Sequence, residues 1–350
     1  MIYKDGSKII EHVGAINTLP VQEGYLNSLG LFRAEGVTQT AITFDLTANK
    51  TASVLKQVSR RSRETTKPLE GQKVKQITLA LTYFKDSDYV TPEDVQGHLV
   101  VGTEGQPTLQ LESKARLVAE KLANLRARSD MTHEYLQVQA IKGKSVDPEG
   151  NVLADMFAEA GIVQPELNFE LDDNTTDVAA KIRELKGMVA ASISGINATG
   201  IVLLVSGAFF DALVSHPSVA QRYMLFSSSN LNRAPTGADI FVEGGLQSTF
   251  TMDGVTFVTY DQVFTLPDGT TESAFKDGEG FVVLRSKDVY RGWYGPANKL
   301  SYANTRGLRN YAFEYDNGRD EGFEIEVESA PLYIHTQPSA AIRVISQTGI

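Results

Sequence analysis

Apolar and polar residues alternate with period two in two runs that flank a polar stretch. Ile42, Phe44 and Leu46 alternate with Thr43, Asp45 and Thr47, and Ile77, Leu79, Leu81 and Tyr83 alternate with Thr78, Ala80 and Thr82. This spacing predicts two strands, each with one wetter face. Paired, they form a long β-hairpin over 41–84 whose arms of about ten residues reach roughly 33 Å. Between them the stretch from Lys56 to Lys75 holds Lys56, Arg60, Arg61, Arg63, Lys67, Lys73 and Lys75 against only Glu64 and Glu70, a local excess of five positive charges.

From Thr108 to Lys142 the period changes. This stretch has no glycine or proline, and its composition favours helix throughout. Leu111, Ala115, Val118, Leu122 and Leu125 recur at helical spacing, and the stripe turns polar at Ser129 and Thr132 before Leu136. A coiled coil would keep its seam apolar, so the pattern predicts one long helix, about 108–142, laid across a sheet. It ends at Gly143, and Asp147-Pro148-Glu149-Gly150 makes a tight turn.

Shorter elements follow from local signals. Residues 1–35, broken by Gly6, Gly14, Pro20, Gly24 and Gly30, read as an extended arm with one short helix. Thr91-Pro92-Glu93-Asp94 is a helix start, and Gly97 keeps that helix short. A helix is expected from Thr176 with Val178, Ile182, Leu185 and Val189 on one face, then a buried strand Ile201–Val205, then a helix over 208–214. Residues 240–300 are β-rich, with turns at Asp253-Gly254, Asp268-Gly269 and Asp277-Gly278. The last strands are marked by Phe323, Ile325 and Val327 alternating with glutamates, by Pro331–Ile334 and by Ile342–Ile345.

Composition narrows the function classes. At 350 residues the chain exceeds one ordinary core. It has no cysteine, which removes disulfide and thiolate chemistry. The start of the chain lacks the apolar run of a signal peptide, and no apolar run approaches a membrane span. The net charge of −10 argues against a general nucleic-acid binder. The basic stretch is the exception, and three readings are open for it: a nucleic-acid contact, a solvated loop, or a contact with acidic surfaces of sister subunits. It holds no aromatic residue from Lys50 to Lys75, so it offers no base stacking.

Candidate chemistry is thin. Gly143-Lys144-Ser145 resembles the end of a phosphate loop, but Val138 stands where a glycine is required. His133-Glu134 begins like a zinc-protease pair, yet Gln137 occupies the position of the second histidine. The five histidines lack ligand spacing, which favours structural roles. Asp172, Asp173 and Asp177 read as a cation site or as helix-capping acids. Trp293-Tyr294 is either an interface anchor or core. No Gly-x-Ser-x-Gly elbow is present. An α/β hydrolase or transferase has only the strand–helix step at Ile201–Ser206 in its favour. The expectation is no enzyme, no cofactor and no metal.

The order of elements and several short motifs resemble the major capsid proteins of tailed phages, in the family of the lambda coat protein (major capsid protein E). The basic hairpin precedes the long helix, which runs into Ala140-Ile141-Lys142-Gly143-Lys144. Phe264-Thr265-Leu266-Pro267-Asp268, Arg306-Gly307-Leu308-Arg309-Asn310-Tyr311 and Glu328-Ser329-Ala330-Pro331-Leu332 follow in order. The resemblance implies the α+β capsid fold of tailed phages (HK-97-like). Its parts would be an N-terminal arm (1–40), an extended loop (41–84), a peripheral domain (85–174) with a spine helix, an axial domain (175–315), and final strands returning to the peripheral domain (316–350). It further implies hexamers and pentamers tiling an icosahedral shell around double-stranded DNA, with that DNA held non-specifically. Partners would be a scaffolding protein, a portal, a maturation protease and a decoration protein. The chain would reside in the virion capsid, and in the host cytoplasm during assembly. Lys56, Arg60, Arg61, Arg63, Lys67, Lys73 and Lys75 would then be subunit-interface residues of the extended loop. An encapsulin-like cargo compartment and a tail-tube or adaptor protein are the alternatives.

Overall fold

The computed structural model describes residues 8–19, 24–47, 74–97, 107–193, 200–220, 248–286, 289–316 and 321–347. The chain divides into two compact units. One comprises Met1–Ile42, Thr78–Gln137 and Gly292–Tyr333; the other comprises Thr43–Ile77, Val138–Arg291 and Ile334–Ile350.

The first unit is built on a four-stranded antiparallel sheet in the order Lys8–Glu11, Tyr311–Asp316, Phe323–Ser329, Phe84–Val90. One face packs against the long helix Pro107–Ile141, through Leu117, Val118, Leu122 and Leu125 on the helix and Val90, Ala312, Ile325 and Val327 on the strands. The expected stripe is therefore largely the buried one, although Ala115 is exposed and Leu117 takes its place. Proline at the first helical position costs no hydrogen bond there, which suits Pro107.

The N-terminal segment departs from the expected extended arm with one helix. It holds a strand, Lys8–Glu11, two short helices, Val13–Thr18 and Tyr25–Leu29, and a second strand, Arg33–Gly36. The reason is burial: Ile16 and Leu26 are removed from water almost completely, so this segment contributes core rather than reaching outward.

The hairpin strands are Ala41–Thr47 and Val74–Ala80, paired as a two-stranded sheet. The second ends earlier than the alternation through Tyr83 predicts. Thr82 turns away because both its amide, at 3.1 Å, and its hydroxyl bond the Pro331 carbonyl. Phe84–Val90 then begins a separate strand beside Phe323–Ser329. At Thr91 the expected helix start is present: Asp94 accepts from the Thr91 amide at 2.9 Å, and the helix runs Pro92–Gly97.

The second unit centres on a six-stranded mixed sheet, ordered Thr249–Met252, Val255–Thr259, Ile201–Val205, Glu279–Leu284, Arg343–Ile345, Glu166–Asn168. Leu203, Val205, Phe257, Val282 and Val344 on one face share a core with Val178, Ile182, Leu185 and Val189 of helix Val178–Ser192, and with Phe209 and Leu213 of helix Gly207–Ser215. Both helices start as expected: Asp177 accepts from the Ala179 amide at 3.0 Å, and Ser206 from the Phe209 amide at 3.3 Å. The closing strands divide between sheets. Phe323–Ser329 lies in the four-stranded sheet, whereas Arg343–Ile345 inserts beside Glu279–Leu284, where Val344 is fully buried. Gly143 ends the long helix at φ +82°, a conformation that favours glycine, with the Phe157 ring where a Cβ would stand.

Candidate functional site

The sequence places its one distinctive charge cluster on the hairpin. Lys56, Arg60, Arg61, Arg63, Lys67 and Lys73 lie outside the described residues. Lys75, on the second strand, pairs its Nζ with Glu159 Oε2 at 2.5 Å while more than half exposed. At the hairpin base Ile42, Leu46 and Ile77 are buried, and Asp45, Lys75 and Gln76 are exposed.

The long helix carries a buried polar cluster where its stripe turns polar. Asp130, fully buried, receives Arg126 Nε at 2.8 Å and Arg309 at 2.9 Å. Arg126 also donates to the Ile16 carbonyl at 2.7 Å, and Ser129 meets the Asn310 side-chain amide at 2.7 Å. His133 joins Tyr333 Oη through Nδ1 at 3.0 Å and Ser329 Oγ through Nε2 at 3.2 Å. Glu134 accepts the backbone amides of Leu26 at 2.8 Å and Asn27 at 3.2 Å, closing the start of the helix Tyr25–Leu29. The His133-Glu134 pair is thus committed to structure, as the missing second histidine implies. Trp293 is core as well, 9% exposed, whereas Tyr294 is half-buried with its Oη 3.1 Å from Tyr333 Oη.

Two buried histidines make the fold acid-sensitive. Burial holds the His133 imidazole well below its ordinary range, with repulsion from Arg309 adding to it. Burial alone pushes His335 down to about 3. The unfolded chain takes up these protons near pH 6.5, whereas the folded chain refuses them. Stability is therefore full above about pH 7 and falls as pH drops through 6.5, by about 1.4 kcal/mol per pH unit for each histidine. Denaturant melts between pH 7.5 and 5.5, above the carboxylate range, should show this slope, and His335→Gln should remove about half of it. A flat profile in the parent would contradict the assignment.

In the second unit a cleft of about 730 Å³ is lined by Lys142, Glu272, Phe275, Lys276 and Arg343. Lys142 Nζ lies 3.8 Å from Glu272 and 5.9 Å from the Phe275 ring centre. Burial lowers its pKa against the opposing pull of Glu272 and Glu279. Arg343 is held by Glu279 at 2.5 Å and Glu166 at 2.7 Å. These ion pairs tie together the strands that carry them. Asp173 and Asp177 close a turn and cap a helix, respectively. Among the described residues no group of His, Cys, Asp or Glu is arranged to hold a metal ion, and no helix is long and apolar enough to cross a membrane.

The unexpected feature is the other face of the four-stranded sheet. Register places Tyr311, Phe313 and Tyr315 opposite Glu328, Glu326 and Glu324, and these opposite Lys85, Ser87 and Tyr89. Lys299 lies over this ladder, 2.7 Å from Glu326 and 2.6 Å from Glu328, its Nζ 5.3 Å and 5.0 Å from the ring centres of Phe313 and Tyr315. Lys85 adds a bond to Glu326 at 3.2 Å. Burial works against the Glu326 charge, but the Lys299 hydrogen bond and charge outweigh it and hold its carboxyl below the usual range. Alternating glutamates on a strand ordinarily read as a solvated face, so the sequence carried no signal that two of them are buried.

The polar groups of these clusters serve architecture: they join strands, cap helices and fix the long helix to its sheet. The fold they support is the α+β capsid fold, and it is similar to the capsid of Ralstonia phage GP4 with a TM-score of 0.52 at 10% identity, covering 95% of this chain and 94% of that one. In sequence the chain is 32% identical to the major capsid protein of Salmonella phage Felix O1 (isolate Felix O1-VT1), over 95% of its own length and 94% of that relative. It is 26% identical to the major capsid protein of Pseudomonas phage KPP10, with 93% of each covered. Residues 13–346 match the family of phage major capsid protein E, and the chain belongs to that family. Its members are structural capsid proteins, not enzymes.

Proposed function

We propose that copies of this chain assemble as hexamers and pentamers into an icosahedral shell around double-stranded phage DNA. The observation that carries this reading is the family match over residues 13–346. The charge pattern supports it: a strongly basic stretch in a chain of net charge −10 suits contact with further copies of the same acidic protein. In this reading residues 41–84 are the extended loop and Lys56, Arg60, Arg61, Arg63, Lys67, Lys73 and Lys75 its interface cations. The unit with the four-stranded sheet and most of the long helix serves as the peripheral domain, and the unit with the six-stranded sheet as the axial domain. A scaffolding protein, a portal, a maturation protease and a decoration protein complete the assembly, which takes place in the host cytoplasm, and the packaged DNA is held non-specifically.

Negative-stain electron microscopy of the purified chain, alone and co-expressed with its neighbouring genes, tests the proposal. Closed shells or rings of five and six subunits are expected. A uniform monomer or dimer in both preparations would overturn it.

A further inference from the structure

The glutamate–aromatic ladder is filled unevenly. Its two inner rungs, Glu328 and Glu326, are neutralised by Lys299 and Lys85. The next rung is built in the same way. Glu324 stands between Tyr315 on one neighbouring strand and Tyr89 on the other. Among the described residues no cation pairs with Glu324. Tyr89 is 60% exposed, and the charge of Glu324 beside it raises its phenol pKa. The rung opens into a cleft of about 370 Å³ whose walls also include Glu321, Thr91 and Phe323.

Lys299 shows what such a rung holds: an alkylammonium resting on aromatic rings with its charge on carboxylates. A carboxylate beside the exposed phenol ring of Tyr89 attracts a lysine or arginine more strongly than a bare carboxylate does, because the ring face adds its own attraction for the cation; the half-buried Tyr315 on the other side already carries Lys299 over its ring. The chain itself supplies a partner of matching charge, the stretch from Lys56 to Lys75 with its excess of five positive charges.

We infer that Glu324, flanked by Tyr89 and Tyr315, receives a lysine or arginine from the basic stretch 56–75 of a second copy of this chain. The inference rests on the shell-subunit reading above and names the surface that reading leaves unspecified. The first test is fluorescence anisotropy of a labelled peptide of residues 56–67 with the unassembled full-length chain. Glu324→Gln, which keeps shape and removes charge, and Tyr89→Leu should each weaken binding by about three- to tenfold at low salt. Unchanged binding with Glu324→Gln would overturn the inference.

The second test is reciprocal. Glu324→Arg should reduce shell yield, and combining it with Arg60→Glu, Arg61→Glu and Arg63→Glu should restore part of it. If the loop variant fails to assemble while Glu324→Arg assembles normally, the receptor is wrong and the shell reading stands. If both assemble normally, the role of the loop falls as well. Thermal melting of each variant separates a lost contact from a lost fold.

Discussion

Reversing Arg60, Arg61 and Arg63 together to glutamate is expected to abolish shell assembly and to leave a folded, unassembled subunit. The three arginines supply most of the local excess of five positive charges between Lys56 and Lys75. Their reversal changes the charge of that stretch by six, so attraction to an acidic neighbour becomes repulsion. Like charges facing each other across an interface cost several kcal/mol. A shell repeats each contact many times, so a modest penalty per contact suffices to stop growth. The fold should be indifferent, because the three arginines stand in a polar, charge-rich stretch, where side chains of this kind are rarely part of a core. Sedimentation and electron microscopy read assembly, and circular dichroism with thermal melting reads the fold. Shells of normal yield from the triple variant would refute the interface role of the loop.

Asp130→Ala should produce the largest loss of stability of any single change in the polar cluster. The side chain is fully buried and holds two guanidinium groups, Arg126 and Arg309. Removing it leaves both cations in a medium that solvates them poorly. Breaking a buried pair from one side costs about 3–5 kcal/mol, which for a protein of this size lowers the melting temperature by several degrees. Asp130→Asn, which retains an acceptor oxygen, should lose less. Lys75→Ala, which breaks a largely exposed pair with Glu159, should fall within about 1 kcal/mol of the parent. A melting curve for Asp130→Ala within a degree of the parent would mean that Arg126 and Arg309 find water or another acceptor.

The candidate interface was legible in part. A run of arginines and lysines in an acidic chain is a property of composition, visible wherever the residues lie. The Glu324 rung was not, because it exists only through the register of three strands drawn from residues 84–90, 311–316 and 323–329. Glu324, Glu326 and Glu328 look alike in sequence. The nearness of Lys299 and Lys85 makes two of them buried ion-pair partners and leaves the third in an open cleft.

By itself the sequence determined the elements whose causes are local. The hairpin follows from period-two alternation, the long helix from a stretch without glycine or proline, and the helix starts at Thr91, Asp177 and Ser206 from side chains that cap nearby amides. Those signals act over a few residues, so no distant partner is needed to read them. Only the tertiary structure decided which polar residues are buried. Ser129 lies on the core-facing stripe, but nothing within the helix shows that Asp130 and His133 are buried beside it; Arg309, Asn310 and Tyr333, roughly 180 to 200 residues away, supply the hydrogen bonds. A polar side chain enters the interior only when its partners arrive with it. Where those partners are distant in sequence, pattern within one segment cannot show the burial; the fold that brings them together decides it.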